Sequence, residues 1–137
     1  MLIHNLITMQ SYILPTLSVS NGKAAIAFYQ KAFDAEVLAS NEDPDGNVVA
    51  ELAIQGAKII VADASPEHGN YAPGDLQGIS VRLGLMCDDP DALAEKAVAA
   101  GITTVYPVAD QSYGYRLGHF IDPFGHHWEI GRPIKEF

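Results

Sequence analysis

The chain has 137 residues, 48% of them apolar and 18% charged, with 17 Asp and Glu against 8 Lys and Arg for a formal net charge of −9. That length and apolar content suit one packed domain rather than a disordered polymer, and the acidic balance without a Lys/Arg run argues against nucleic acid or an anionic membrane as partner. A single Cys87 excludes an internal disulfide framework and a multi-cysteine zinc site within one chain, which makes a reducing cytoplasm the expected location.

In chain order, residues 1–11 mix His4, Asn5, Thr8 and Gln10 among apolar side chains and are expected to be an N-terminal extension, neither a signal h-region nor an anchor. No apolar run approaches the roughly 20 residues that span a bilayer. The run YILPTLSV at 12–19 alternates, with Ile13, Leu17 and Val19 on one face and Leu14, Thr16 and Ser18 on the other, and predicts a strand. Ser20 or Asn21 can cap a following helix whose stripe is Ala25, Ile26, Phe28, Tyr29, Ala32 and Phe33, ending near Asp34. Strands are expected at 35–40, 48–54 and 57–62, separated by a turn around Asp43-Pro44-Asp45-Gly46-Asn47 and a tight turn at Gln55-Gly56.

A Ser-, Pro- and Gly-rich connector over 63–78 then leads into what reads as the same order again. Residues 79–86 alternate as a strand; Asp89 caps a helix that has Pro90 at its first position and Gly101 as its stop. Strands follow at 103–108, 113–121 and 126–131, the last two joined by the turn Asp122-Pro123-Phe124-Gly125. When the halves are laid over each other, Ala25, Ala27 and Ala32 fall on Ala92, Ala94 and Ala99, so a duplicated βαβββ unit is the economical reading.

With that order on the page, the segments AIAFYQKAFDAEV, ALAEKAVAAGITTVYPV and above all GYRLGHFIDPFGHHWEIGRP resemble the vicinal-oxygen-chelate superfamily. This superfamily includes glyoxalase I, extradiol dioxygenases, fosfomycin-resistance enzymes and bleomycin-binding proteins, and the DPFGHHWEI stretch is similar to its PhnB-like and bleomycin-resistance-like members. The resemblance implies an α+β fold: two βαβββ modules, 12–62 and 79–131, form curled mixed sheets around a pocket within a single domain over 12–133, the pocket being completed by a second chain in a homodimer. In metal-dependent members, His or Glu on the first and last module strands hold a divalent ion. Carried over, the last-strand glutamate matches Glu129, whereas the first-strand positions fall on Leu14 or Thr16 and on Arg82 beside Ser80. Arg has no free lone pair and would repel a cation, so a site with Glu129 alone should hold a metal weakly.

Strand parity sets the expected pocket face. Pairing across the 122–126 turn places His119 opposite Glu129 and Ile121 opposite His127, with Phe120 and Trp128 turned into the helix-facing core. Tyr113 and Tyr115 share the Glu129 face, unless a bulge at Gly118 brings Arg116 there instead. In the first module, Glu51 falls opposite Ile60. The candidate ligand-binding set is therefore Leu14, Thr16, Glu51, Ile60, Arg82, Tyr113, Tyr115, His119 and Glu129. Tyr rings suit an aromatic ligand, and Glu51 and Glu129 could hold a cationic group on it. Three structural readings stand beside these. Arg82 and Glu129 could form a buried ion pair; His126 and His127, on opposite strand faces, could be partly solvated; and His68, Cys87 and the acidic turn at Glu42, Asp43 and Asp45 could be ordinary surface or packing features.

Absence of G-x-G-x-x-G, Walker, G-x-S-x-G and H-E-x-x-H sequences argues against nucleotide-driven chemistry and serine hydrolysis. The expected function is a metal-free binding protein that sequesters an aromatic antibiotic or metabolite, needing no cofactor and no catalytic residue. The alternative is a metal-dependent glyoxalase-like lyase, isomerase or dioxygenase in which Glu129 works with His119, the carboxylate orienting the imidazole.

Overall fold

A computed structural model of the protein describes residues 9–134, so most of the expected N-terminal extension lies outside the described residues. The first βαβββ unit runs β1 (Thr16–Val19), α1 (Gly22–Phe33), β2 (Glu36–Glu42), β3 (Val48–Ile54) and β4 (Ala57–Asp63). A 3-10 turn at Pro66–His68 and a single-turn helix α2 (Pro73–Leu76) follow. The second unit is β5 (Arg82–Met86), α3 (Pro90–Ala100), β6 (Thr103–Asp110), β7 (Tyr115–Ile121) and β8 (His127–Pro133). The architecture is α+β, with two four-stranded mixed sheets ordered β1-β4-β3-β2 and β5-β8-β7-β6. In each sheet the first strand runs parallel to the last, and the remaining pairs are antiparallel.

Local chemistry accounts for the helix ends. The Asn21 side chain accepts from the Ala24 amide and the Asp89 side chain from the Ala92 amide, each satisfying an orphan donor of the first helical turn. Asp34 and Gly101 close the two helices in the left-handed conformation. Asp63 at the end of β4 accepts from the backbone N–H groups of Gly22 and Val48, both at 2.7 Å, and so ties the start of α1 to the sheet beneath it.

Each sheet buries one face under a helix, and α1 and α3 also pack on each other, so the two units share one core. Tyr29 and Phe33 of α1 meet Trp128 of β8 with ring centroids 5.7 and 4.8 Å away. Phe120 and Trp128 are buried there, as their alternation implies.

Several boundaries differ from the sequence reading. Pro15 precedes β1, which begins only at Thr16; Leu14 therefore lies outside the strand, and Ile13, expected on the core face, is 91% exposed. β5 likewise starts at Arg82 rather than at residue 79, and the connector includes the two short helical turns. The β7–β8 register runs unbroken from Tyr115 to Ile121, so no bulge at Gly118 swaps Arg116 for Tyr115. The irregularity sits across the sheet in β6, whose pairing with β7 shifts between Thr104 and Tyr106 and again before Ala109. A Cβ on Gly118 would lie 2.6 Å from the Val108 nitrogen, so glycine is what lets the bulged strand approach.

Candidate functional site

Helices cover one face of each sheet, and the opposite faces are open. Register lines up Gly84, Glu129, His119 and Tyr106 in one row across the second sheet, with Arg82, His127 and Ile121 in the row alongside. Side chains at paired positions share a face, so this open face gathers one carboxylate–guanidinium pair and one imidazole pair beside an aromatic wall.

Arg82 Nε donates to Glu129 Oε1 at 3.0 Å. The ion pair offered as a structural reading forms, but it is not buried: the Arg82 side chain is 59% exposed, while Glu129 is mostly covered. His119 Nε2 and His127 Nδ1 lie 2.8 Å apart, so one ring donates and the other accepts. Burial holds the His127 pKa below its ordinary value, with the nearby positive charges of His119 and Arg82 acting in the same direction. The ring of Tyr106 meets His119 edge-on at 5.6 Å, and Tyr113 and Tyr115 lie with centroids 6.4 Å apart. Burial, then the neighbouring Tyr113 hydroxyl, raises the Tyr106 phenol above its ordinary value. Gly84, Met86, Tyr113, Tyr115, Leu117 and Glu129 enclose a cavity of about 320 Å³ on this face.

Of the nine residues expected at the pocket, Arg82, Tyr113, Tyr115, His119 and Glu129 therefore come together on the second sheet. Thr16, Ile60 and Glu51 fall in one row of the first sheet. Leu14 precedes that sheet. Glu51 has Lys58 at 3.7 Å. Although His119 is directly opposite Glu129, each is committed to another partner, so the carboxylate does not orient the imidazole as expected. His126 is partly solvated, and its Nε2 lies 2.9 Å from the Ser18 carbonyl, tying the turn before β8 to β1. His68 stays on the surface, 2.6 Å from the Ser65 hydroxyl, and Asp43 closes its turn by accepting from the Asp45 and Asn47 amides.

His127 and Tyr106 were missed by the sequence reading. The pairing of His127 with Ile121 already put it on the Glu129 face; the β6 bulges hid Tyr106, because its register cannot be counted from the turn. A larger cleft of about 510 Å³ lies between the units and is lined by side chains such as Ile13, Ile59, Leu83, Leu85 and Trp128. It offers mainly apolar surface and lacks the convergent polar groups of the open face.

The donor set does not fit a divalent ion. At the positions that the resemblance assigns to ligands, Thr16 and Arg82 contribute no anionic or imidazole donor, and Glu129 is occupied by Arg82. Among the described residues no three His, Cys, Asp or Glu side chains converge on one point.

Two repeated βαβββ units, each an open-faced mixed sheet backed by one helix, with a polar and aromatic cluster on the second sheet, define a paired-module fold with a candidate small-molecule face. The sequence profile of the Glyoxalase/Bleomycin resistance protein/Dioxygenase superfamily matches residues 11–130, and the chain belongs to that superfamily. An uncharacterised protein of Mycobacterium bovis is 38% identical over 134 residues, covering 95% of this chain and 88% of its own. Among solved structures, TnmS3, an antibiotic binding protein from a Streptomyces species, is 24% identical with a TM-score of 0.69, covering 93% of this chain and 98% of its own. The fosfomycin resistance protein FosX from Listeria monocytogenes is 19% identical with a TM-score of 0.63, covering 93% of this chain and 95% of its own. Both structural likenesses establish the fold alone. No helix among the described residues is long and apolar enough to cross a membrane.

Proposed function

We propose that this protein is a metal-free small-molecule binding protein that sequesters an aromatic antibiotic or metabolite, with its pocket completed by a second copy in a homodimer. The observation that carries the reading is the Arg82–Glu129 pair: a guanidinium occupies the carboxylate that a metal would need. The tyrosines beside it provide stacking surface and hydroxyls at low entropic cost. The likeness of the fold to an antibiotic binding protein supports the same class of function. Open sheet faces bearing exposed Val49, Met86 and Tyr113 support a dimer, because such apolar surface is most simply buried against a second copy. A cationic ligand has less support, since Glu129 and Glu51 both have basic partners. The enzymatic alternative, Glu129 working with His119 on an ion, has less support for the same reason: the two side chains do not converge.

The test combines elemental analysis with calorimetric titration of aromatic antibiotics into chelator-treated protein. Trp128 is buried on the helix side and is a poor reporter of this face, so heat rather than fluorescence is the signal. Saturable binding without metal, in a dimer, is the expected result. Near-stoichiometric retention of manganese, nickel, iron or zinc, lost in Glu129→Ala, would overturn the proposal in favour of the enzyme.

A further inference from the structure

We infer that Arg82 is the ligand anchor on the open face of the second sheet, and that the ligand it selects carries a carboxylate on an aromatic body. This rests on the reading of that face as the binding site and adds the chemistry of the ligand.

A guanidinium has five N–H donors in a fixed plane. Glu129 takes the one on Nε; the Nη1 and Nη2 groups make no hydrogen bond among the described residues. Those groups are the fork that matches the two oxygens of a carboxylate. The side chain is 59% exposed, so a solvent-screened pair contributes little to stability, and its donors remain accessible.

The chain itself shows that one guanidinium can serve two carboxylates. Arg116 donates from Nε and Nη2 to Asp91, at 2.9 and 2.7 Å, and from Nη1 to Asp110 at 3.1 Å. Arg82 has the same chemistry with only the first carboxylate in place. Glu129 holds the guanidinium by its Nε and leaves the second position to a ligand. His127 pairs with Arg82 in the β5–β8 register and Tyr106 stands in the adjacent row, so an aromatic body attached to that carboxylate would meet rings on this face. An ammonium at the same place would meet the guanidinium and find Glu129 already paired.

Calorimetric titration of the full chain with 2-naphthoate and with 2-(aminomethyl)naphthalene tests this, because the two probes share a ring system and differ in charge. The expected result is naphthoate binding at least about tenfold tighter than the amine, with Arg82→Gln removing that preference. Glu129→Gln should act in the opposite direction and strengthen naphthoate binding by about threefold, since the guanidinium then loses its competing anion. A merely structural pair would shift both variants the same way, and Glu129→Gln decides the matter even if Arg82→Gln fails to fold. Equal or tighter binding of the amine, an Arg82→Gln variant with unchanged naphthoate affinity, or weakening by Glu129→Gln would overturn the role of Arg82 while leaving the face as a binding site. No binding of either probe would overturn the inference together with the reading of the face.

Discussion

The Tyr29 hydroxyl donates a 2.5 Å hydrogen bond to Asp122 Oδ2, joining α1 of the first unit to the β7–β8 turn of the second across 93 residues of sequence. The same oxygen accepts from Trp128 Nε1 at 2.9 Å, while Oδ1 accepts from the Phe124 and His126 amides. Asp122 is 4% exposed yet fully bonded, and its charge pushes the buried Tyr29 phenol further up. The turn that aims His127 and Glu129 along β8 is thus set by a residue that never reaches the open face.

Removing that carboxylate should leave the Tyr29 and Trp128 donors and two amides without an acceptor. Asp122→Ala is expected to cost about 3–5 kcal/mol of folding stability, and Tyr29→Phe about 1–2 kcal/mol because Trp128 still satisfies the oxygen. Urea unfolding midpoints measure both; a loss under about 1 kcal/mol for Asp122→Ala would show that the joint is not structural.

Gly118→Ala should destabilise by about 1–3 kcal/mol through overpacking against the β6 backbone. Gly74, whose added Cβ would have nothing within 4 Å, is the control. Its alanine variant should stay within about 0.5 kcal/mol of the parent. Equal thermal midpoints for the two variants would remove the close approach at Gly118 as the reason for glycine there.

The imidazole pair predicts a pH dependence. In the unfolded chain His127 takes its proton near the ordinary value of 6.5, whereas in the folded chain its pKa is lower. Between the two values the unfolded state binds more protons, so this contribution to stability is complete above pH 6.5 and is lost as the pH falls toward the folded value. His119, His126 and Arg82 oppose the added charge and Asp122 favours it. His127→Gln should flatten the dependence of the thermal midpoint on pH over about pH 5 to 7. An identical slope in the variant would assign the dependence to other groups.

Tyr115→Ala should weaken binding of an aromatic ligand by at least about tenfold, or about 1.4 kcal/mol. Calorimetry with the ligand found in the screen measures it, and an unchanged Kd would remove Tyr115 from the site.

Much of this was legible along the chain because the signals are local. Period-two alternation with turn residues placed β3 from Val48 to Ile54, cap chemistry placed Asn21 and Asp89, and counting across one hairpin turn put His119 opposite Glu129. The hairpin also placed His127 on the same face. Contact is another matter. Which side chain His119 meets, whether Glu129 bonds to it or to Arg82, and which strand accommodates Gly118 all depend on twist, rotamers and the approach of strands distant in sequence. The sequence by itself determined two repeated units and the faces of their strands, since backbone periodicity is a property of neighbouring residues. Only the tertiary structure decided the partners, because hydrogen bonds such as Tyr29 to Asp122 and Arg82 to Glu129 require side chains to arrive at one point from separate elements.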